Sequence, residues 1–185
     1  MSLKELTKQK HTDAERTAFA KLLLSGNISE KQYAQYLFQM MEVYSVLEAV
    51  SAHAGLFQGL PGLARAPMIY RDLSELNEHR AGLSLLRSTK EYVDYLVKLG
   101  EDESKSHLLL AHLYVRHMGD LYGGQMIAKR VPGSGQFYAF NDRDGLITKI
   151  REKLTDDLGD EANVAFDYAI DIMRDLNEWN LEQAD

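Results

Sequence analysis

The sequence predicts an all-α fold, and three observations support that prediction. Apolar residues recur at intervals of three and four along several stretches of the 185-residue chain, which is the period of an amphipathic helix. There are only three prolines, while alanine, leucine, glutamate and lysine are abundant. The stretches between the periodic segments are short, as in bundles of antiparallel helices. We therefore expect a single domain over residues 1–185, built as a bundle of several helices.

The composition also restricts the classes of function. A formal net charge of −7 argues against nucleic acid as the main partner, because duplex binding needs a large basic surface. No apolar run approaches the ~20 residues that cross a bilayer, and the N-terminus lacks the apolar core of a secretory signal. The absence of cysteine excludes disulfides and thiolate metal sites and favours a reducing compartment. We expect a soluble, cytoplasmic protein with neither a membrane nor a nucleic acid as partner.

Turn and capping residues delimit the first four helices. A Ser-Gly-Asn triplet ends the first one, and a loop rich in glycine and proline precedes the third. Ser29 with Gln32, and Ser88 with Glu91, have the spacing of capping boxes, which satisfy free N–H groups at a helix start. The predicted helices in this half are Leu3–Leu24, Ser29–His53, Tyr70–Leu86 and Ser88–Gly100.

The second half contains a helix of unusual sequence. Apolar periodicity predicts it from about Glu103 to Val131, where Pro132 and Gly133 end it. Gly119, Gly123 and Gly124 interrupt this helix, and each costs roughly 1 kcal/mol of helix stability relative to alanine. Two further helices are predicted at Asp144–Asp156 and Asp160–Glu182.

The glycines have two explanations that the spacing alone does not separate. Gly119 and Gly123 are four residues apart and therefore lie on one helical face, with Gly124 beside them. They permit either a kink or a close helix–helix contact, or else a flat ligand lying directly against the backbone, where a Cβ would clash. Asp120 would be solvated on an ordinary surface helix, whereas in a ligand cavity it would hold bound water and relay protons.

Among the six histidines, His11 is the strongest candidate for a metal ligand. Its helical face is otherwise small and apolar, and Glu15, one turn on, would accept the second N–H of the ring. Glu75 and His79 are four apart and would also ligate a metal together. A di-iron carboxylate bundle, however, needs a Glu-x-x-His motif from each of two helices. The chain has neither that spacing nor a second copy, so an exposed polar face is favoured there.

Three segments together resemble the heme oxygenases: KQKHTDAER near the N-terminus, YSVLEAV in the second helix, and HLYVRHMGDLYGGQ. The GDLxGGQ pattern after Tyr-x-Arg is specific to that family, and the likeness extends from Lys4 to about Trp179. It points to the soluble, ferredoxin-dependent branch, because no membrane tail follows Trp179. The resemblance implies a single-domain helical bundle with heme between an N-terminal proximal helix and a glycine-interrupted distal helix.

The resemblance also implies a set of site residues. His11 matches the proximal ligand of the heme iron, and Glu15 matches its supporting carboxylate. The positions that match the distal, catalytic groups are Tyr44, Arg116, Gly119, Asp120 and Gly123. The remaining positions that match heme contacts are Lys4, Lys8, Tyr114, Gly124, Arg151 and Phe166.

Four positions depart from the family pattern. Ile147 stands where a lysine that binds a heme propionate is common, although Lys149 is close in sequence. Ala169 replaces an asparagine of the distal network, Met173 replaces an aromatic residue, and Tyr122 stands where serine is usual in GDLSGGQ. These departures concern the seating of heme and the distal water.

The activity implied by the resemblance is the oxidative opening of heme b at a meso carbon, with the α position as the default. The products would be biliverdin, carbon monoxide and ferrous iron, the electrons would come from ferredoxin, and a bilin reductase would follow. The main competing hypothesis is a non-catalytic heme-binding or carrier protein of the same fold. Two further hypotheses are a helical oxidase with a di-iron site and a purely structural helical module.

Overall fold

The computed structural model describes residues 1–184, and this part of the chain is helical with no β-strand. The helices are α1 (Leu3–Glu15), α2 (Ala18–Ser25), α3 (Glu30–His53), α4 (Ala66–Glu75), α5 (Arg87–Glu101), α6 (Leu109–Leu113), α7 (Gly119–Ala128), α8 (Arg143–Lys153) and α9 (Gly159–Gln183). A π-helical segment, Tyr114–Met118, joins α6 to α7. Short 3-10 turns lie at Asn77–His79, Ser106–Leu108, Gln136–Tyr138 and Asp156–Leu158. The predicted all-α fold is therefore confirmed.

The helix α3 forms the centre of the main core. It packs along α4 and α5, while α9 packs along α1, α2 and α5. The start of α3 is as the sequence predicts, because Ser29 and Gln32 form the reciprocal hydrogen bonds of a capping box. The large α3 side chains that are almost completely buried include Tyr33, Leu37, Met40, Val43, Tyr44 and Leu47.

The prediction of one continuous helix over Leu3–Leu24 is wrong, because two helices cover this range. The helix is interrupted at Arg16 and Thr17, and a separate helix, α2, begins at Ala18. The Thr17 hydroxyl donates to the Ala14 carbonyl at 2.9 Å and accepts from the Ala20 N–H at 3.3 Å. One threonine thus closes α1 and caps α2, which leaves α1 free to lie along α9 at its own angle.

Two other predicted starts are also wrong. The third helix begins at Ala66, with Pro67 in its first turn where a missing N–H costs nothing, and ends at Glu75 instead of Leu86. The capping box at Ser88 does not form, because α5 already begins at Arg87. The Ser88 N–H instead donates to Asp175 on α9 at 3.0 Å.

A buried histidine fixes the position of α6 between α5 and α9. The His112 Nδ1 lies 2.8 Å from the Tyr92 hydroxyl on α5, and its Nε2 lies 2.9 Å from a Glu161 carboxylate oxygen on α9. Both ring nitrogens are satisfied when Nε2 carries the proton and donates to Glu161. This bridge holds the helix that leads into the glycine-bearing segment.

Within residues 1–184, no helix is both long and apolar enough to cross a membrane.

Candidate functional site

The π-helical segment Tyr114–Met118 precedes the glycines directly. Such segments are rare and often occur at functional sites, because a wider turn changes which side chains share a face. Here Arg116 and His117 are buried, and so is Asp120 at the start of α7. The sequence predicts one continuous helix over this region and gives no sign of the π turn.

The structure separates the glycines into two kinds. A Cβ added at Gly119 or Gly123 would meet no neighbouring atom of residues 1–184 within 4 Å, so these two residues leave an open strip on α7. A Cβ at Gly124 would lie 2.7 Å from the Cδ1 atom of Tyr138. Close packing therefore explains Gly124, while it does not explain Gly119 and Gly123.

Next to this open strip lies a buried pair of acidic groups. The Tyr44 hydroxyl of α3 donates to the Asp120 carboxylate at 2.5 Å. Burial raises the pKa of Asp120 to about 7, and the Tyr44 hydrogen bond and the charges of Arg116 and Arg65 oppose that rise only in part. At neutral pH the carboxyl group therefore exists in both protonation states.

Arg116 is buried beside this pair with much of its hydrogen-bonding capacity unused. Its guanidinium carbon lies 5.2 Å from the centre of the Tyr92 ring, and its Nη1 lies 3.8 Å from the Met40 sulfur. Among residues 1–184, the Nε and Nη2 atoms have no hydrogen-bond partner. Burying a charged donor without a partner is costly, so this arrangement indicates a group that interacts with a ligand or with water.

A second buried pair, His117 and Glu48, packs against the Tyr44–Asp120 pair. The His117 Nε2 donates to the Glu48 carboxylate at 3.0 Å, and the ring centres of His117 and Tyr44 are 5.1 Å apart. Glu48 also accepts from the backbone N–H groups of Arg65 at 2.5 Å and Ala66 at 3.1 Å. The pair thereby ties α3, the π segment and the start of α4 together.

Sequence reasoning did not identify Glu48 and His117 as parts of this site. Glu48 is one helical turn beyond Tyr44 in YSVLEAV, and this spacing was the available signal. His117 was recognisable only as one of six histidines. Burial lowers the pKa of His117, which favours the neutral imidazole.

On α1, His11 is much more accessible than Tyr44, Arg116 and Asp120. Its side chain is 56% exposed, and its Nδ1 lies 3.6 Å from a Glu15 carboxylate oxygen, which is too long for a direct hydrogen bond. The ring makes an edge contact with Phe166 of α9 at 5.8 Å between centres. Lys4 and Lys8 are exposed on the same helix.

The predicted residues thus fall into two groups. Tyr44, Arg116 and Asp120 lie together beside the open strip, whereas His11 contacts Glu15 and Phe166. Two surface grooves are lined by other residues of the described chain, although the second borders the His11 group at Lys10 and Asp167. One surrounds Val50 and Gly100 between α3 and α5, and the other surrounds Arg16 and Asp167 along α1, α2 and α9.

The Glu75 and His79 pair does not form a metal site. Glu75 ends α4 and accepts from the Ser134 N–H and hydroxyl, at 2.8 and 2.5 Å. His79 bonds to Glu30 instead, at 2.9 Å. Within residues 1–184, the one group of three converging ligand side chains is Glu30, Glu78 and His79, at the opposite end of α3 from Glu48. It has none of the repeated carboxylate motif of a di-iron bundle.

A sequence model of the heme oxygenase family matches residues 1–175. The chain belongs to the heme oxygenase family. Heme oxygenase 2 of Rattus norvegicus is 30% identical over 95% of this chain, and the match covers 64% of that relative. Heme oxygenase 2 of Synechocystis is 28% identical over 93% of this chain and 80% of its own length. The chain spans a little under two thirds of the length of the mammalian heme oxygenase 2 relatives that it matches.

Solved structures agree with this assignment. Heme oxygenase-1 from Synechocystis, in complex with heme, superposes with a TM-score of 0.83 at 26% identity, covering 98% of this chain and 93% of that one. Heme oxygenase-2 from the same cyanobacterium, in complex with heme and NO, gives 0.82 at 28% identity, covering 96% and 84%. The predicted family and the predicted helical fold are both confirmed.

Three of the four positions that depart from the expected heme oxygenase pattern are buried or half-buried, and one is exposed. Ile147 is buried with Leu121 and Leu146, so it belongs to the core between α7 and α8. Ala169 is buried on α9, and Met173 is half-buried against the main core. Tyr122, by contrast, is 48% exposed on α7 and contacts arginines of α8.

Proposed function

We propose that this protein is a heme oxygenase that opens heme b at a meso carbon, by default the α carbon. The products are biliverdin, carbon monoxide and ferrous iron, and reduced ferredoxin supplies the electrons. The observation that supports this best is the buried Tyr44–Asp120 pair, placed beside an α7 strip that Gly119 and Gly123 leave open.

The residues present fit heme by their chemistry. A flat ring needs a surface without side chains, and a Cβ at Gly119 or Gly123 would meet only open space. The Arg116 Nε and Nη2 are buried donors that find no partner in the described part of the chain. The exposed His11 imidazole is a ligand that heme iron commonly takes.

On the proximal side, His11 would hold the iron. Glu15, whose carboxylate oxygen lies 3.6 Å from Nδ1, would accept the Nδ1 N–H after a small approach and leave Nε2 as the ligand atom. Bound heme supplies the iron at which dioxygen is reduced and the porphyrin ring that is opened. With His11 as the ligand that this helix supplies, the protein would hold the heme by one histidine, a common way of binding heme iron.

On the distal side, Asp120 and Tyr44 would hold and deliver a proton. The carboxyl group has a pKa of about 7, so it both accepts and donates near neutral pH. The Tyr44 hydroxyl fixes one carboxylate oxygen at 2.5 Å, which keeps the group oriented. The charge of Arg116 and its free donors would organise water around the carboxylate.

The remaining predicted contacts would hold the rim of the heme. Two propionates require cations or hydroxyl donors, which Lys4, Lys8, Tyr114 and Arg151 would supply. Phe166, which touches the His11 ring edge, would provide an apolar wall. Gly124 is assigned to the same site by resemblance, although its packing against Tyr138 already explains the glycine.

We further propose one heme oxygenase domain over residues 1–185, although Asp185 lies outside the described residues. The protein would act in the cytoplasm, with ferredoxin as donor and a bilin reductase as the next enzyme. Ferredoxins are acidic, so docking would use a local basic cluster despite the net charge of −7.

The test is turnover of hemin by the purified protein with ferredoxin, ferredoxin reductase and NADPH. We expect the heme absorption band to be replaced by that of a bilin. A heme complex that stays intact under these conditions would support the carrier hypothesis, and no heme uptake at all would contradict both. His11→Ala should abolish the coordinated heme spectrum, while His107→Ala, at another exposed histidine, should not.

A further inference from the structure

Tyr122 is an exposed aromatic residue that contacts two cations. It lies on α7 directly before Gly123, with 48% of its surface exposed. The guanidinium carbons of Arg143 and Arg151, both on α8, lie 5.6 and 5.7 Å from the centre of its ring. Both distances are within the range of a cation–π interaction. The Arg151 Nη2 also donates to the Tyr122 hydroxyl.

The two arginines differ in the number of hydrogen bonds and ion pairs that their guanidinium groups make. The Arg143 Nε donates to the Leu121 carbonyl at 2.6 Å, and its Nη1 pairs with Asp144 at 2.8 Å. Arg151 has no acidic partner within residues 1–184, and its one side-chain hydrogen bond there is to Tyr122. Arg143 therefore stabilises the local structure, whereas no acidic side chain of the described residues neutralises the charge of Arg151.

Arg143, Ile147 and Arg151 are spaced four apart and therefore share one face of α8. Ile147, one turn earlier, is buried in the core between α7 and α8. Lys149 is two residues from Arg151, and side chains at that spacing do not face the same way on a helix. Because Arg143 already pairs with Asp144 and donates to the Leu121 carbonyl, Arg151 is the arginine on this face that is available to bind a carboxylate.

We infer that Tyr122 is a positioning residue that holds Arg151 at the edge of the open α7 strip and thereby orients the heme propionates. This inference rests on the proposed function. The phenol fixes the guanidinium by its hydroxyl and by its ring, so Arg151 loses less conformational freedom when it binds a carboxylate. Tyr122 would then set both the affinity for heme and its rotation in the plane.

The experiment measures hemin affinity for the wild type, Tyr122→Phe and Tyr122→Ser. We expect the Kd of Tyr122→Ser to rise three- to tenfold and that of Tyr122→Phe to rise less, because the ring over Arg151 is kept. The effect should disappear in an Arg151→Ala background and with hemin dimethyl ester, which has no propionate charge. Tyr70→Ser, at another exposed tyrosine, is the matched control and should leave the Kd unchanged.

The bilin isomers formed by each variant give the second readout. Tyr122→Ser should yield a mixture of meso isomers where the wild type yields one predominant isomer. A wild type that converts hemin, with a Tyr122→Ser variant of equal affinity and equal isomer ratio, would overturn the role of Tyr122 alone. An equal loss of affinity with and without Arg151 would also overturn it. A wild type that takes up no hemin would overturn the proposed function as well.

Discussion

The two sides of the candidate site are built in opposite ways. On α1, His11 is 56% exposed and Glu15 is 64% exposed, and neither makes a direct hydrogen bond to the other. On the distal side, Tyr44, Arg116, His117 and Asp120 are all buried and joined to one another or to Glu48 and Tyr92. The proximal side would supply an accessible ligand, while the distal side holds a fixed arrangement of polar groups.

This difference has an energetic consequence. Buried polar groups that are held in a network contribute strongly when intact and cost much when one partner is removed. Exposed residues on a helix surface contribute little to stability. Substitutions on the distal side should therefore affect folding and function together, whereas substitutions on the proximal side should affect function alone.

The largest expected effect is at Glu48. Glu48→Ala leaves the His117 Nε2 and two backbone N–H groups without their buried acceptor. A buried donor left without its acceptor typically costs about 1–3 kcal/mol, so with three such donors we expect the unfolding free energy to fall by about 3 kcal/mol or more. Urea denaturation at pH 7 measures it, with Glu15→Ala on α1 as the control, for which the change should stay within about 0.5 kcal/mol. Equal losses in the two variants would contradict the difference between the two sides.

The next effect is the dependence of stability on pH at Asp120. Its pKa is raised from 3.8 to about 7, so the folded protein binds this proton more tightly than the unfolded chain does. The resulting stability is fully present below pH ~4 and is lost as the pH rises through ~7. Asp120→Asn removes this loss.

The unfolding free energy of Asp120→Asn relative to wild type should therefore increase from pH 4 to pH 8. The limit is about 4 kcal/mol, at about 1.4 kcal/mol per pKa unit. Denaturation curves at several pH values test this, and a difference that does not vary with pH would show that Asp120 keeps an ordinary pKa. Asp13→Asn, at an exposed aspartate of α1, is the control.

The glycines of α7 provide a third test, in which replacement by alanine should lower the stability at one position and raise it at another. Gly124→Ala should destabilise the protein by about 1–3 kcal/mol, because the new Cβ would lie 2.7 Å from the Tyr138 ring. Gly123→Ala has open space and should stabilise the helix by up to about 1 kcal/mol. Thermal unfolding distinguishes the two directions. We expect Gly123→Ala to impair hemin turnover despite its gain in stability, and unimpaired turnover would contradict a ligand lying against this strip.

The smallest effect on stability is expected at His11. Its side chain is mostly exposed, so His11→Ala should change the unfolding free energy by less than about 0.5 kcal/mol. The same variant should lose the absorption spectrum of histidine-coordinated heme. Unfolding curves and hemin titrations of one preparation measure both, and a large loss of stability would show that α1 is less independent than its exposure indicates.

The sequence predicted best the features that depend on local chemistry. The capping box of Ser29 and Gln32 defines the start of α3 through residues three positions apart, and the structure confirms it. The GDLxGGQ motif identified the family, which the match over residues 1–175 confirms. The roles of the individual site residues stay predictions.

The features that were missed depend on contacts between distant parts of the chain. The break at Thr17 reflects the packing of α1 and α2 separately against α9, which outweighs the helical pattern of Leu3–Leu24. Gly123 and Gly124 are adjacent in sequence, and only the position of Tyr138 shows that they differ. Likewise, Glu48 became part of the site because the π segment brings His117 to it.

The π segment also sets the rotational phase between α6 and α7. Each residue turns an α-helix by about 100°, so deleting one residue from Tyr114–Met118 would rotate everything after it relative to α6. His112 would keep its bridge to Tyr92 and Glu161, while Asp120 would turn away from Tyr44. Removing a single residue here would therefore leave α6 anchored through His112, but it would rotate α7 so that Asp120 no longer faces Tyr44.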